Sequence, residues 1–364
     1  SMGAATRPQS PDVVGNGPLP MTRNGHRVSA ATRLRRFLPA PVRGAAARVV
    51  ARRRASLVER HLEQLARDRR PVLLGPWLGE VGFELLYWIP FLSWFCRQYA
   101  IPRDRVIAVS RGGASAWYAA FVDRSHDALA FMSQEEFRRK NADRTEHLGE
   151  QKQVAWTPLD EEIVALVREH EQTDVAVLHP STMYRLFAPY WWGHRPIAWI
   201  HQYADFSPIE PPSLGVSLPA NYTAVKFYFN DCFRNTPQNR AFVDRTIRGL
   251  ADEGPVISLS TGVSLDDHAP CEPDVAAMHD IQHLLSPQSN LMVQSAIVAG
   301  AKRFVGTYGG FAYLAPLCGI PALSYYSEAK SFSTRHLDLM RDVLQSRNHA
   351  RLLDVVAVPE ERGR

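Results

Sequence analysis

The feature that most constrains the fold is a stretch in which two apolar segments flank a glycine turn, a short helix and a second glycine turn. Residues 304–310 read Phe-Val-Gly-Thr-Tyr-Gly-Gly and predict a strand that ends where a helix begins; residues 311–326 predict that helix, the second turn and a second strand. Glycine at such a turn lets the backbone approach a ligand closely, and the free N–H groups at the helix start can hold an anion. The pattern is equally typical of an ordinary connection that binds nothing, so both interpretations stay open here.

Two more units of the same kind follow residue 71, each made of a strand, a glycine loop and a helix. The first covers residues 72–99, with the loop Gly79-Glu-Val-Gly82, and the second covers residues 105–122, with the loop Ser110-Arg-Gly-Gly113. Alternation of strands and helices indicates an α/β protein with parallel sheets. Further along, residues 184–219 are rich in Trp, Pro and Tyr and predict irregular loops.

The length of the chain favours two domains. A chain of 364 residues with 45% hydrophobic content can bury two ordinary cores. We expect two Rossmann-like domains, residues 71–215 and 216–350, that face each other across a cleft, with a helix over residues 336–345 packed back over their boundary. Residues 1–30 are rich in Pro, Gly, Ser and Asn and are expected to be disordered. Residues 351–364 are expected to be a tail.

Positive charge is concentrated in a segment before the first domain. The net charge is +5, yet residues 33–70 contain twelve arginines and three acidic residues, which leaves residues 71–364 with about −6. We therefore expect a basic arm, residues 31–70, that is helical from residue 45 to residue 69. A nucleic-acid-binding protein carries its basic footprint on the fold itself, so this distribution argues against nucleic acid as a partner.

Three interpretations of the arm remain open. It could lie on an anionic membrane surface, act as a transit-type presequence, or pack its Leu/Val stripe on the folded body.

The sequence contains no run of 18 apolar residues, so it does not predict a membrane-spanning helix. The cysteines lack CxxC spacing and predict reduced thiols: Cys96, Cys232, Cys271 and Cys318. We expect a cytoplasmic protein, peripheral at the inner face of the membrane if the arm binds lipid.

Parts of the second half resemble the donor half of bacterial GT-B glycosyltransferases, in particular heptosyltransferase-like and nucleotide-sugar 2-epimerase-like proteins. The matching segments are Asn-Leu-Met-Val-Gln-Ser at 290–295, Ala-Lys-Arg-Phe-Val-Gly-Thr-Tyr-Gly-Gly at 301–310 and Leu-Ala-Pro-Leu-Cys-Gly-Ile-Pro at 314–321. The resemblance covers residues 221–330, and residues 71–200 only as architecture. Tyr308 departs from it, because Asp or Ser is common before the glycine.

The resemblance implies a function as well as a fold. It implies a GT-B enzyme that moves a sugar from a nucleotide-activated donor to a glycan, lipid-linked or small-molecule acceptor, with inversion, without a bound metal and with no cofactor besides the donor substrate. Such an enzyme would extend a cell-envelope or secondary-metabolite glycan. The alternatives are a nucleotide-sugar epimerase or hydrolase on the same fold, and a non-catalytic scaffold of GT-B type held at the membrane by the arm.

Donor-binding residues follow from the same resemblance. The donor diphosphate would lie against the glycine turn, at Thr307, Tyr308, Gly309 and Gly310. Four further side chains stand near strand ends and could reach the phosphates: Lys226, Asn230, Arg234 and Arg111. For Lys226 the alternative is a solvated strand residue, and Arg111 could instead hold an anionic acceptor.

A base is needed to deprotonate the acceptor hydroxyl. We favour Glu80, which lies between two glycines at the carboxyl end of a predicted strand; its alternative is a residue that the helix dipole merely stabilises. Glu84, one turn into the helix, becomes a candidate if burial raises its pKa. Asp267, in Asp266-Asp-His268, is the third candidate, for which a solvated turn is the alternative.

Overall fold

The computed structural model describes residues 40–260, 269–271, 278–279, 281–331 and 333–359. The segment expected to be disordered, residues 1–30, lies outside the described residues, as do the start of the arm and Asp267. The side chains of residues 40–46 and 269–270 also lie outside the description.

The first domain is built on a four-stranded parallel sheet with the strand order β3-β2-β1-β4. Its strands are β1 Val72–Leu74, β2 Val106–Ser110, β3 Arg124–Asp127 and β4 Ala176–Leu178. Every residue of β1 and β2 is buried, because helices cover both faces of a parallel sheet. The helices of this half are α1 Ala40–Arg67, α2 (Val81–Phe83, a π-helical turn Glu84–Trp88, then Ile89–Gln98), α3 Gln134–Leu148, α4 Pro158–Glu171, α5 Pro180–Trp191 and α6 Ala198–His201.

The second domain is built on a six-stranded parallel sheet with the order β12-β11-β10-β5-β7-β9. Its strands are β5 Thr223–Lys226, β7 Val256–Ser258, β9 Met278–His279, β10 Arg303–Thr307, β11 Ala322–Tyr326 and β12 Leu353–Ala357. A separate antiparallel pair consists of β6 Tyr228–Phe229 and β8 Ala269–Pro270. The helices are α7 Pro237–Glu253, α8 Asn290–Ala299, α9 Gly310–Leu317 and α10 Thr334–Ser346. The expected α/β class with two parallel sheets is confirmed.

Two local predictions are wrong. Residues 353–357, expected within a tail, form the edge strand β12, which pairs with β11 along its whole length. Residues 180–191, of which the last eight were expected in irregular loops, form α5; Pro180 stands at its first turn, where proline is tolerated. The aromatic side chains that suggested loops are instead the buried face of this helix, which includes Tyr184, Phe187 and Tyr190.

The arm helix α1 packs on the first domain. Its buried stripe is Ala51, Ala55, Val58, Leu62 and Leu65, which lies against α5 and β4. The guanidinium of Arg105 closes the end of the helix, since it donates to the carbonyl oxygens of Leu65 and Ala66 at 2.7 and 2.8 Å. The interpretation in which the Leu/Val stripe packs on the body is therefore confirmed for Val58, Leu62 and Leu65, but not for Val49 and Leu57, which are exposed.

Helix α10 ties the two halves together, as expected for the last helix. His336 Nδ1 lies 2.6 Å from the hydroxyl of Tyr87, and the Tyr190 hydroxyl donates to the Arg335 carbonyl at 2.7 Å. His201 Nε2 and Asp342 Oδ2 are 2.7 Å apart. In the described part of the chain, no helix combines the length and apolar character needed to cross a membrane.

Candidate functional site at the domain junction

The carboxyl ends of both sheets meet at one junction. Helix α2 begins after β1, helix α9 begins after β10, and these two helix starts pack against each other at Gly82 and Gly310. Beside them, the loop after β2 reaches the start of α8, where the Leu291 N–H donates to the Gly112 carbonyl at 2.6 Å. In open α/β sheets, ligands bind outside the carboxyl ends of the strands, so this junction is the candidate site.

The glycines of the turn are explained by packing. A Cβ on Gly310 would lie 2.7 Å from Val81 Cγ1 and 2.9 Å from the Gly82 nitrogen, and a Cβ on Gly309 would overlap the Tyr228 hydroxyl. Contacts within the protein therefore require both glycines. The expectation that a diphosphate occupies these faces of the turn needs correction, because Val81, Gly82 and Tyr228 already fill them.

Thr307 and Tyr308 are also engaged by the protein. Thr307 is fully buried; its hydroxyl donates to the Tyr228 carbonyl at 2.9 Å and accepts from the Tyr228 N–H at 3.1 Å. The hydroxyls of Tyr308 and Tyr313 lie 2.5 Å apart. Burial raises the pKa of Tyr308 above its usual range. These two residues anchor strand β6 and helix α9, and Thr307 has no free hydroxyl face for a phosphate. Tyr228, which sequence reasoning missed, holds Thr307 through its backbone and places its hydroxyl beside Gly309.

Glu80 lies at the edge of the junction. It precedes the first residue of α2, is partly exposed, and its carboxylate has no hydrogen bond or ion pair in the described part of the chain. Burial is the main cause of a raised pKa at both Tyr184, in the first domain, and Cys232, in the second; the negative charge of Glu80 contributes to both shifts. The Glu80 carboxylate is therefore within electrostatic reach of side chains from both domains.

Glu84 is a structural carboxylate, which corrects its candidacy as a base. It is fully buried, and burial raises its pKa, opposed by Arg111. Oε1 accepts from the hydroxyls of Ser110 and Tyr118, each at 2.6 Å, and Oε2 lies 2.6 Å from Arg111 Nη1. The raised pKa that sequence reasoning required is present. However, three donors occupy the carboxylate and no face of it is open to a substrate.

Arg111 is not available to clamp an anion in this arrangement. It is 4% exposed, and besides Glu84 its guanidinium donates to the Gly79 carbonyl. It thus joins the two glycine loops of the first domain, which follow β1 and β2. The proposed phosphate or acceptor contact would require this buried pair to break.

Lys226 stands at the end of β5, beside the start of α9. Its Nζ donates to Gln294 Oε1 at 2.6 Å and lies 4.4 Å from the centroid of the Phe311 ring. Lys226 is partly exposed rather than a freely solvated strand residue. Gln294, on α8, is a further residue of the site that sequence reasoning missed, since it lies within an apolar helix.

Asn230 and Arg234 belong to the loop that follows β6. The Asn230 side chain accepts from the N–H groups of Cys232 and Phe233 at 2.9 and 2.8 Å, so it shapes the loop instead of facing a ligand. Arg234 is exposed, and its nearest acid is Glu328, at 3.9 Å. Of these two, only Arg234 has a side chain open to an anion.

A second set of charged groups lies near Glu80 on the first-domain side. Lys152 Nζ is 5.3 Å from the centroid of the Phe83 ring, and its charge helps to lower the pKa of His336. Burial raises the pKa of Glu150, whose Oε1 is buried without a hydrogen bond in the described residues. Sequence reasoning missed both residues, because the segment before residue 153 has only weak periodicity.

Asp267, the third candidate base, lies outside the described residues. Within the part of the chain that the structure describes, no three His, Cys, Asp or Glu side chains are grouped closely enough to hold a metal ion. The expectation of a metal-independent reaction stays a prediction.

Comparisons with known proteins return similarities of structure alone. The sequence matches no protein-family model and no curated protein. The E. coli heptosyltransferase WaaC with ADP is 14% identical, with a TM-score of 0.41 over 79% of this chain and 93% of WaaC. The glycosyltransferase SnogD from Streptomyces nogalater is 13% identical, with a TM-score of 0.33 over 78% and 95%.

The dodecameric iron-containing glycosyltransferase TibC from enterotoxigenic E. coli is 12% identical, with a TM-score of 0.39 over 72% of this chain. The chain spans about 60% of the length of TibC.

Proposed function

We propose that this chain is a glycosyltransferase that moves a sugar from a nucleotide-activated donor to an acceptor hydroxyl at the domain junction, with Glu80 as the general base. The observation that carries the proposal is the Glu80 carboxylate, which has no hydrogen bond or ion pair among the described residues, yet lies beyond the carboxyl end of the parallel strand β1, within electrostatic reach of both domains. The other carboxylate of the same segment, Glu84, is already bonded to Ser110 and Arg111 within the protein.

The proposed role of Glu80 follows from what the transfer requires. The acceptor hydroxyl must lose a proton as the new bond to the sugar forms, and a carboxylate within hydrogen-bond reach can take it. A base must be reachable from solvent before the acceptor binds, and Glu80 is partly exposed. Glu80 also precedes helix α2, where the helix dipole favours a negative charge.

The leaving nucleoside diphosphate needs positive charge from the second domain. Lys226 lies beside the first turn of α9, and Arg234 faces solvent on the neighbouring loop. We propose that Lys226 exchanges its bond to Gln294 for a phosphate oxygen, with Arg234 as the second cation. Two cations placed in this way would neutralise the charge of the leaving diphosphate, the role that a bound metal could otherwise have. Attack by an acceptor held at Glu80 would invert the configuration at the reacting carbon of the sugar.

The acceptor would lie on the first-domain side of Glu80. Phe83 and Lys152 stand there together and offer an apolar ring next to a cation. This pairing supports an acceptor that combines a sugar or lipid surface with a negative charge, such as a phosphorylated lipid-linked glycan. We propose a cytoplasmic site of action, with the nucleotide-sugar as the only co-substrate.

A thermal-shift panel tests the proposal. Nucleoside diphosphates and their sugars should raise the unfolding temperature of the wild-type chain, because a ligand that binds only the folded state stabilises it. Lys226→Ala should lose most of the shift, while Lys302→Ala, on the turn before β10, should keep it. A chain that responds to no nucleotide would favour a non-catalytic scaffold. Conversion of the donor sugar into another sugar, with neither transfer to an acceptor nor hydrolysis, would favour an epimerase.

A further inference from the structure

One face of the arm helix α1 is left uncovered by the residues that the structure describes. Residues at spacings of three and four line a shallow groove along this face: Val49, Arg52, Arg53, Ser56, Leu57 and Arg60. The opposite stripe is buried against the first domain. The helix therefore has an inward face that serves the fold and an outward face, called here the arm face, that serves no contact within the described residues.

The arm face combines exposed apolar side chains with positive charge. Val49 and Leu57 are 53% and 57% exposed, which is unusual for large hydrophobic residues in this chain. They are eight positions apart and so project on the same side of the helix. Arg52, Arg53 and Arg60 flank them, and none of the three has a carboxylate partner in the described part of the chain.

The charge around the arm face is not neutralised locally. Helix α1 contains seven arginines and two glutamates. The positive charges of Arg52 and Arg48 contribute, after burial, to a lowered pKa at the nearby Arg195. A cation whose pKa is depressed by other cations marks a region of positive potential, and such a region attracts an anionic surface.

We infer that the arm face docks on an anionic lipid bilayer. Arginines meet the phosphate headgroups, while Val49 and Leu57 enter the boundary between headgroups and acyl chains, as in other helices that lie on membranes. Nucleic acid would engage the arginines alone, since its phosphate backbone offers nothing to two exposed aliphatic side chains. Residues 71–364 carry a net charge of about −6, so an anionic surface repels the folded body and orients α1 towards the bilayer.

Vesicle co-sedimentation of the full chain tests this inference independently of catalysis. The wild type should bind vesicles that contain phosphatidylglycerol, should not bind pure phosphatidylcholine, and should bind less as salt rises. The variant Arg52→Glu/Arg53→Glu/Arg60→Glu should bind at least about 10²-fold more weakly, given about 1 kcal/mol per basic residue near such a surface. The charge-matched variant Arg138→Glu/Arg341→Glu/Arg351→Glu, which changes exposed arginines elsewhere, should bind as the wild type does.

The two exposed aliphatic residues, Val49 and Leu57, distinguish binding to a membrane from binding to any other anion. Val49→Ser/Leu57→Ser leaves the charge unchanged, so it should weaken vesicle binding most clearly at high salt, where the electrostatic attraction is screened. Unchanged vesicle binding in this variant, or a duplex nucleic acid that displaces the chain from vesicles, would overturn the inference. Each variant should retain the wild-type unfolding temperature and nucleotide response, because the arm face touches neither the core nor the junction.

Discussion

Gly310, at the start of α9, lies against the backbone of Gly82, at the start of α2, so that a Cβ on Gly310 would come within 2.9 Å of the Gly82 nitrogen. These two glycines bring the helix starts of two different domains into direct contact. The carboxyl edges of the two sheets are thereby held at one junction, and Glu80 stands two residues before that contact.

Gly310→Ala should destabilise the chain, because the added methyl group would come within 2.9 Å of the Val81 side chain and the Gly82 backbone. Overpacking of this kind costs about 1–3 kcal/mol, which urea unfolding would measure. Gly249→Ala is the matched control, since nothing lies within 4 Å of a Cβ there; it should be neutral or slightly stabilising within helix α7. Equal stability of the two variants would contradict the packing explanation of Gly310.

The buried pair of Glu84 and Arg111 should show strong coupling in a double-mutant cycle. Glu84→Leu alone leaves a buried guanidinium without its carboxylate, and Arg111→Met alone leaves the reverse; each should cost about 3–5 kcal/mol in urea unfolding. The double variant removes both charges and should cost clearly less than the sum of the two. Additive costs would mean that the two side chains stabilise the fold separately.

The folded state should lose stability in acid through His336. Burial, aided by the charge of Lys152, lowers the pKa of His336 from 6.5 to about 3. The unfolded chain therefore binds one more proton than the folded chain between these values, and stability that is fully present above pH 6.5 falls as the pH drops towards 3.

His336→Gln should remove this dependence. The free energy of unfolding of the wild type should fall more steeply with decreasing pH than that of the variant, by up to about 1.4 kcal/mol per pH unit. His147→Gln, at an exposed position on α3, should keep the wild-type slope. If His336→Gln and the wild type share one slope from neutral pH to about pH 4, the histidine is not held neutral at the junction.

The architecture could be predicted from the sequence because the patterns that indicate strands, glycine loops and helices are local. Strands such as Val72–Leu74 and Arg303–Thr307 are short apolar runs next to glycine loops, and their periodicity predicts the α/β class directly. Edge strand β12 was missed because Leu353–Ala357 becomes a strand only by pairing with β11, which no local pattern shows. Helix α5 was missed because its Trp, Tyr and Pro content resembles a loop until the buried face is known.

Roles within the site depend on contacts that no local pattern contains. Gly309 and Gly310 resemble a phosphate-binding turn, yet Tyr228 and Val81, from distant parts of the chain, occupy the space beside them. Glu80 and Glu84 are both candidate bases in the sequence, four residues apart in one loop and helix. Their surroundings distinguish them: Glu84 is buried and bonded to Ser110, Tyr118 and Arg111, whereas Glu80 is partly exposed and has no such partner among the described residues.

Glu80 is proposed to act on the acceptor and not on the donor. The wild type and Glu80→Gln should be compared with the nucleotide-sugar that gives the largest thermal shift. Two quantities are measured: the affinity for the nucleoside diphosphate, and the rate at which the nucleoside diphosphate is released when acceptor is present. We predict unchanged affinity and a rate that falls about 10²–10⁴-fold, the usual cost of losing a general base. A Glu80→Gln variant that turns over at the wild-type rate would contradict the account.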